Sequence, residues 1–210
     1  RVDPGILESA PDAPFGVPFR PTPFRVQFEL EIGGAAIPVE RDVQHRYEGN
    51  IFSGEKRAEI HVVPAFAVSA TPEIVVVPTR STREDARSGQ AQKDIRVTVV
   101  NHTKGAAKGE VTLELPQGWR ATPASQPVAF SREDEATTVR FQLQAPPSPV
   151  LAAAALKPGG NQFVVKAVVK DSTKTYAQGY QVVEYPQITR RHVLRDPQLA
   201  GAALDVGVKP

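Results

Sequence analysis

At 210 residues the chain has room for one large domain or two small ones. Its 20 prolines, about twice the usual share, argue against long helices and suit a protein of many strands. The net charge of +2 is spread with signs interspersed, which excludes the clustered basic stripe of a nucleic-acid binder. Cysteine is absent, and with it disulfides, thiolate metal sites and cysteine nucleophiles. No apolar run approaches the ~20 residues that span a bilayer. Leu151 to Leu156 is too short, and Pro149 and Pro158 bracket it. The chain starts at Arg1 and holds no methionine, which reads as a segment of a longer protein.

Residues 1–23 are proline-rich, with Phe15, Phe19 and Phe24 interleaved. The expectation is an extended segment laid over a sandwich with its phenylalanines docked; the alternative is a proline-rich ligand for another domain. Val26, Phe28, Leu30 and Ile32 then alternate with Gln27, Glu29 and Glu31. This period of two is that of a strand with one apolar face. Gly33-Gly34 marks a hairpin turn. Ile37 to Tyr47 continues as strand, Glu48 to Lys56 reads as a loop, and Ala58 to Val63 and Phe66 to Ala70 read as further strands. Residues 1–72 are therefore expected to hold the proline-rich segment and a small or partial β-sandwich. The run from Val62 to Ile74 contains no glycine. That predicts a stiff connection with Phe66 or Val68 packed at an interface between two sandwiches.

From Glu73 to Val77 a second unit opens, and Arg80 to Lys93 is a polar loop or a short turn of helix. Three clear alternations follow: Ile95, Val97, Val99; Val111, Leu113, Leu115; and Val139, Phe141, Leu143. Ser148 to Asn161 is a connection, and Gln162 to Val169 pairs with Tyr176 to Glu184 across the polar turn Lys170 to Lys174. About seven strands in residues 73–186 suit an immunoglobulin-like or fibronectin-like sandwich. Residues 187–210 read as an outgoing linker to a missing domain, with Pro197 marking a break. The fold class is all-β, two tandem immunoglobulin/fibronectin-like units of which the first is small or partial.

Chemistry-bearing residues are sparse. His45, His61, His102 and His192 show no helical or His-x-His spacing. Strand pairing would have to bring His45 to His61, and a zinc site would need a third ligand; no metal and no cofactor are expected. Trp119, if exposed, would be a sugar-stacking platform; if buried, a core plug, which the leucines of the preceding strand favour. Tyr176 and Tyr180 share parity on one predicted strand and form either a paired platform or a partly buried face; Tyr185 is a further aromatic candidate. Glu133-Asp134-Glu135 reads as a solvated acidic turn rather than a cation loop. Thr189 to Arg195 reads as a solvated basic stretch rather than a phosphate patch. No nucleophile-elbow motif occurs, so catalysis is not expected within these residues.

Val97 to Asn101, Val111 to Leu113 and Pro116-Gln117-Gly118-Trp119 resemble the NPCBM-associated, alpha-galactosidase-type β-sandwich appended to bacterial carbohydrate-active proteins. Arg20 to Gly34, Asp42 to Tyr47, Gly54 to Arg57, His61 to Glu73 and Val183 to Val193 resemble the region downstream of the catalytic domain in large bacterial PIG-L/LmbE-family deacetylases. That family removes N-acetyl groups from amino sugars with a zinc ion held by a His-Pro-Asp-Asp type motif. No His-Pro dipeptide occurs here, so no catalytic residue carries over. The resemblance implies a non-catalytic accessory and scaffold region of a larger bacterial hydrolase, secreted or extracytoplasmic, whose partners are neighbouring domains of the same chain. In bacteria the Asn101-His102-Thr103 glycosylation pattern would be accidental. Two other readings stand beside it. One is a carbohydrate-binding module that uses Trp119, Tyr176 and Tyr180 on a glycan. The other is a protein-interaction or adhesive module that uses an exposed sheet edge.

Overall fold

A computed structural model describes residues 22–49, 54–78, 92–146, 161–185 and 188–204. The expectations for residues 1–21, 50–53, 79–91, 147–160 and 205–210 lie outside the described residues. Among those described, all regular structure is strand. In chain order the strands are β1 (Arg25–Ile32), β2 (Ala35–Asp42), β3 (Gln44–Glu48), β4 (Glu55–Glu59), β5 (Phe66–Thr71), β6 (Ile74–Pro78), β7 (Gln92–Asn101), β8 (Ala107–Glu114), β9 (Arg120–Thr122), β10 (Ser125–Phe130), β11 (Ala136–Gln144), β12 (Gln162–Lys170), β13 (Thr175–Tyr176), β14 (Gly179–Tyr185), β15 (Ile188–Arg195) and β16 (Gln198–Leu204). No described helix is long and apolar enough to cross a membrane.

The chain divides into two compact units. One is Arg1–Val62 with Val182–His192; the other is Val63–Gln181 with Val193–Pro210. The second unit is an immunoglobulin-like β-sandwich. One sheet runs β10-β8-β12-β16-β6, with β13 added to β12; the other runs β5-β7-β11-β9. Pairing is antiparallel throughout except between β16 and β6, which are parallel. The alternations read from the sequence point where expected. Ile95, Val97 and Val99 of β7 and Val139, Phe141 and Leu143 of β11 meet Val111 of β8, Val165, Ala167 and Val169 of β12 and Leu199 of β16 in one buried core. Each such Val, Leu, Ile or Phe side chain contributes about 1.5–3 kcal/mol when fully removed from water.

Two strands fall on the other side of the sequence-based boundaries. β5, assigned above to residues 1–72, pairs in register with β7, Phe66 opposite Asn101 and Thr71 opposite Arg96. Phe66 and Val68 are 2% and 1% exposed inside the sandwich core. They are core residues of the second unit and not a joint between two sandwiches. The stretch 187–210 is likewise no simple outgoing linker. β16 lies between β12 and β6 and buries Leu199 and Ala203. Its alternation was hidden because Ala200, Gly201 and Ala202 carry little hydrophobic signal.

The first unit, expected as a small or partial sandwich, consists of two-stranded sheets among its described residues: β1-β2, β3-β4 and the part of β14-β15 that falls within Val182–His192. In β1-β2 the turn is Gly33-Gly34, both with positive φ (60° and 83°), the conformation a two-residue hairpin loop demands. The expected single run Ile37 to Tyr47 breaks at Val43, whose N–H donates to the Phe24 carbonyl at 3.0 Å. Thr22 is the only fully buried residue among the described part of this unit. Its hydroxyl donates to the Ile60 carbonyl at 3.3 Å and accepts from the Phe24 N–H at 3.3 Å.

Candidate functional site

The three aromatic residues singled out for sugar stacking do not form a row. Trp119 follows Pro116 in a turn closed by its own N–H donating to the Pro116 carbonyl at 3.2 Å. Its indole is half-buried and lies on Phe163 of β12, ring centres 4.2 Å apart. Phe163 in turn covers Gly201 of the paired strand β16, where any Cβ would strike the ring. Tyr176 sits on β13 opposite Val169. Phe163 and Val169 are six residues apart on β12, so the Trp119 and Tyr176 locations are separated by ~20 Å along one strand.

Tyr176 and Tyr180 are also on separate strands, β13 and β14. The Tyr176 ring meets the edge of Phe66 at 5.2 Å, and its hydroxyl donates to Asp171 Oδ2 at 3.0 Å. Desolvation first, then the Asp171 carboxylate, raises the Tyr176 phenol above its ordinary value. Asp171 is the anchor of the Lys170 to Lys174 turn. Its Oδ1 accepts from the N–H groups of Thr173 and Lys174 and from the Thr173 hydroxyl. These donors hold the carboxyl down at about 2. The turn was legible from KDSTK; the tyrosine that locks it was not.

Tyr180 shares a hydrogen bond with Nε2 of His102 at 3.0 Å, and His102 Nδ1 lies 2.8 Å from Asp134 Oδ1. The residue before Tyr180, Gly179, is buried beneath β5: a Cβ there would sit 2.0 Å from the Val68 carbonyl oxygen. The Val68 N–H donates to the Gln178 carbonyl at 3.0 Å. Tyr180 is thus part of the fastening of residues 178–180 to the sandwich.

The acidic turn and the glycosylation pattern meet at the same place. Glu135 turns back to accept from the Ser131 N–H and hydroxyl and from the Arg132 N–H, which lowers its carboxyl pKa. Asp134, at φ 58°, faces His102. Asn101 is fully buried, donating to the Gly105 and Arg132 carbonyls and accepting from the Thr103 N–H and hydroxyl. These are loop-closing contacts, and the amide that a glycan would need is consumed by them.

Three features of the first unit stand out. His45 stacks against Tyr47, ring centres 6.0 Å apart, and faces Ala58 across β3-β4 rather than His61. His61 instead meets His192, 131 positions later, with ring centres 4.9 Å apart. Nε2 of His61 is buried without a hydrogen-bond partner, and Nδ1 of His192 is buried as well. Beside them Arg191 pairs with Glu59, whose side chain is 10% exposed. Part of the basic run is thus bound within the protein; Arg190 also faces Glu184 at 3.9 Å. Among the described residues, no group of three His, Cys, Asp or Glu side chains is placed to hold a metal.

The third feature is the β1-β2 hairpin itself. Phe28 faces Val39 and Leu30 faces Ile37, with Val26 and Ile32 continuing the same face. Phe28 is 48% exposed, Leu30 44%, Ile32 61% and Ile37 43%. The opposite face carries Arg25, Gln27, Glu29, Glu31, Glu40 and Asp42, with Arg25 bridging Glu40 at 3.1 Å and Asp42 at 3.5 Å. The alternation announced an amphipathic pair of strands. What the sequence did not announce is that the described residues supply no second layer for it.

No protein-family model matches the chain, and no curated protein does. Among solved structures the chain is similar to a FixG-related protein from Vibrio parahaemolyticus, at 10% identity and TM-score 0.38 over 67% of this chain and 98% of that one. It is similar to a PapD-like domain of human CEP192, at 11% identity and TM-score 0.33 over 71% of this chain and 94% of that one. A third similar structure is WR4, a C. elegans MSP family member, at 7% identity and TM-score 0.27 over 65% of this chain and 97% of that one.

Proposed function

We propose that this chain is a non-catalytic accessory and scaffold region, part of a larger bacterial hydrolase of the PIG-L deacetylase type, and that it works by contact with neighbouring protein through the β1-β2 hairpin. The observation that carries this reading is the exposed apolar ladder of Val26, Phe28, Leu30, Ile32 and Ile37, with Val39 half-buried among them. A lone two-stranded hairpin is marginal in water, and a contiguous apolar patch of this kind favours a covering surface. Eight-residue strands at ~3.4 Å per residue give a face ~27 Å long and ~10 Å wide. That is about 270 Å², well under the ~800 Å² per partner of a stable independent interface. A patch so small suits a neighbour tethered in the same polypeptide, where effective concentration does much of the work. The parent activity rests on the family resemblance alone.

Full-length protein from the gene that encodes this chain, compared with its Phe28→Glu/Leu30→Glu variant, tests the contact. Small-angle scattering is expected to show a more extended particle for the variant, and identical profiles would remove the docking role. Acetate release from N-acetylated amino sugars tests the parent. Release is expected from the full-length protein and not from residues 1–210. Release by the isolated region would overturn the non-catalytic reading, and none by the full-length protein would overturn the deacetylase parent.

A further inference from the structure

We propose that Arg96 and Arg140 form an oxyanion site on the outward face of the sheet β5-β7-β11-β9, and that the group it takes is a doubly charged tetrahedral one, phosphate or sulfate. The register brings them together. Thr71 of β5 stands opposite Arg96 of β7, and Arg96 stands opposite Arg140 of β11. Directly opposite residues of an antiparallel pair have Cα atoms about 4.5–5.5 Å apart and side chains on the same face. Ile95 and Val97 flank Arg96, Val139 and Phe141 flank Arg140, and all four are buried in the core. Both arginines therefore point away from the core, and both are exposed. The adjoining row of the same face holds Ser69, Thr98 and Thr138. Thr98 and Thr138 share a hydrogen bond at 2.8 Å, and the Ser69 hydroxyl donates to the Thr98 carbonyl at 3.4 Å.

Like charges directly opposite each other destabilise a sheet. On the described residues of these four strands the outward charges are Arg96, Arg140, Arg120 and Asp94, three positive against one negative. Asp94 stands opposite Gln142, one row away from the two arginines. A dianion seated between the guanidiniums turns one repulsion into two attractions. Each planar fork offers parallel N–H donors to its oxygens, and charge-assisted bonds of this kind are stronger than neutral ones. The Thr71 hydroxyl, in the same row beside Arg96, is a further donor. The backbone beneath the pair is held by strand pairing on β7 and β11, and the Gln126 amide donates to the Arg140 carbonyl at 2.8 Å. The site is open to water, so its affinity is modest and falls as salt rises. It belongs to the second unit and does not rest on the reading of the β1-β2 hairpin.

The experiment follows the side-chain Nε–Hε signals of the arginines by NMR in the 210-residue chain. Inorganic phosphate, inorganic sulfate and acetate are added separately at constant ionic strength. The Arg96 and Arg140 signals are expected to shift together along one saturating curve with phosphate and with sulfate, and to respond more weakly to acetate. Arg120 is the internal control: it pairs with Gln144, four residues along β11 from Arg140, about 14 Å away on the same face. Its signal is expected to stay behind. Arg96→Gln and Arg140→Gln are each expected to weaken phosphate binding severalfold, and Arg120→Gln to leave it unchanged. Shifts spread evenly over all the arginines without saturation, wild-type affinity in Arg96→Gln, or acetate matching phosphate would each overturn the site. The wild-type pattern needs no variant, so a folding defect in either glutamine protein does not blunt the test.

Discussion

Tyr180 and His102 are joined at 3.0 Å across 78 positions of sequence, and Asp134 lies 2.8 Å from the other ring nitrogen of the same histidine. An ionised carboxylate only accepts, so it places the imidazole proton on Nδ1 and leaves Nε2 to accept from the Tyr180 hydroxyl. Tyr180→Phe removes that donor and is expected to cost about 0.5–1.5 kcal/mol in chemical unfolding of the sandwich. An unchanged unfolding midpoint would show that the bond is not maintained in solution.

Gly179, beside it, has no room for a side chain, because the Val68 carbonyl oxygen would meet a Cβ at 2.0 Å. Gly179→Ala is therefore expected to destabilise by about 1–3 kcal/mol through overpacking. It should also speed amide exchange of Val68, whose N–H donates to Gln178. Protected Val68 exchange in the alanine protein would contradict the close approach.

Phe66, 2% exposed, packs at 5.8 Å from Phe130 and 5.2 Å from Tyr176. Its removal leaves an aromatic-sized cavity. Phe66→Ala is expected to lower stability by about 3–5 kcal/mol, read from denaturant unfolding. A loss under 1 kcal/mol, roughly the cost of a volume-conserving core swap, would mean that the ring is not a core member.

Asp171 predicts a pH dependence. Its folded value of about 2 is below the ordinary 3.8, so its contribution is fully present above the ordinary value. That contribution fades as the pH falls from about 4 towards 2. Asp171→Asn should accordingly be less stable than the wild type at neutral pH, and the two melting curves should converge towards pH 2. Parallel curves over that range would assign the turn's stability to the backbone alone.

The second unit was readable because its residues obey the period of two from Ile95 to Val99 in β7 and from Val139 to Leu143 in β11. Ile95, Val97, Val99 and Val139, Phe141, Leu143 are inward in the structure as they are in the pattern. The same rule misplaced two strands for a physical reason. β5 is apolar on both parities, with Phe66, Ala67 and Val68 all buried, and such a run announces burial without naming its sheet. β16 is built of small residues packed under Phe163, so its strand character lies in backbone pairing that no side-chain pattern records. Trp119 stood between plug and platform in the sequence and is half-buried on Phe163. The His61–His192 pair was invisible, since strand pairing between distant segments is set by the fold and not by spacing.

The position of β16 has a kinetic side. The sheet β10-β8-β12-β16-β6 places β6, near the front of the sandwich, against a strand made of residues 198–204. During synthesis β6 has no partner in the described fold until residues 198–204 have been made, so Val75 and Val77 wait for their core neighbours Leu199 and Ala203. A parallel pairing closed over more than a hundred residues carries a loop-closure cost that only late contacts repay. The edge that carries β6 therefore closes only after β16 is made, and a chain stopped short of β16 leaves Val75 and Val77 without Leu199 and Ala203 to cover them.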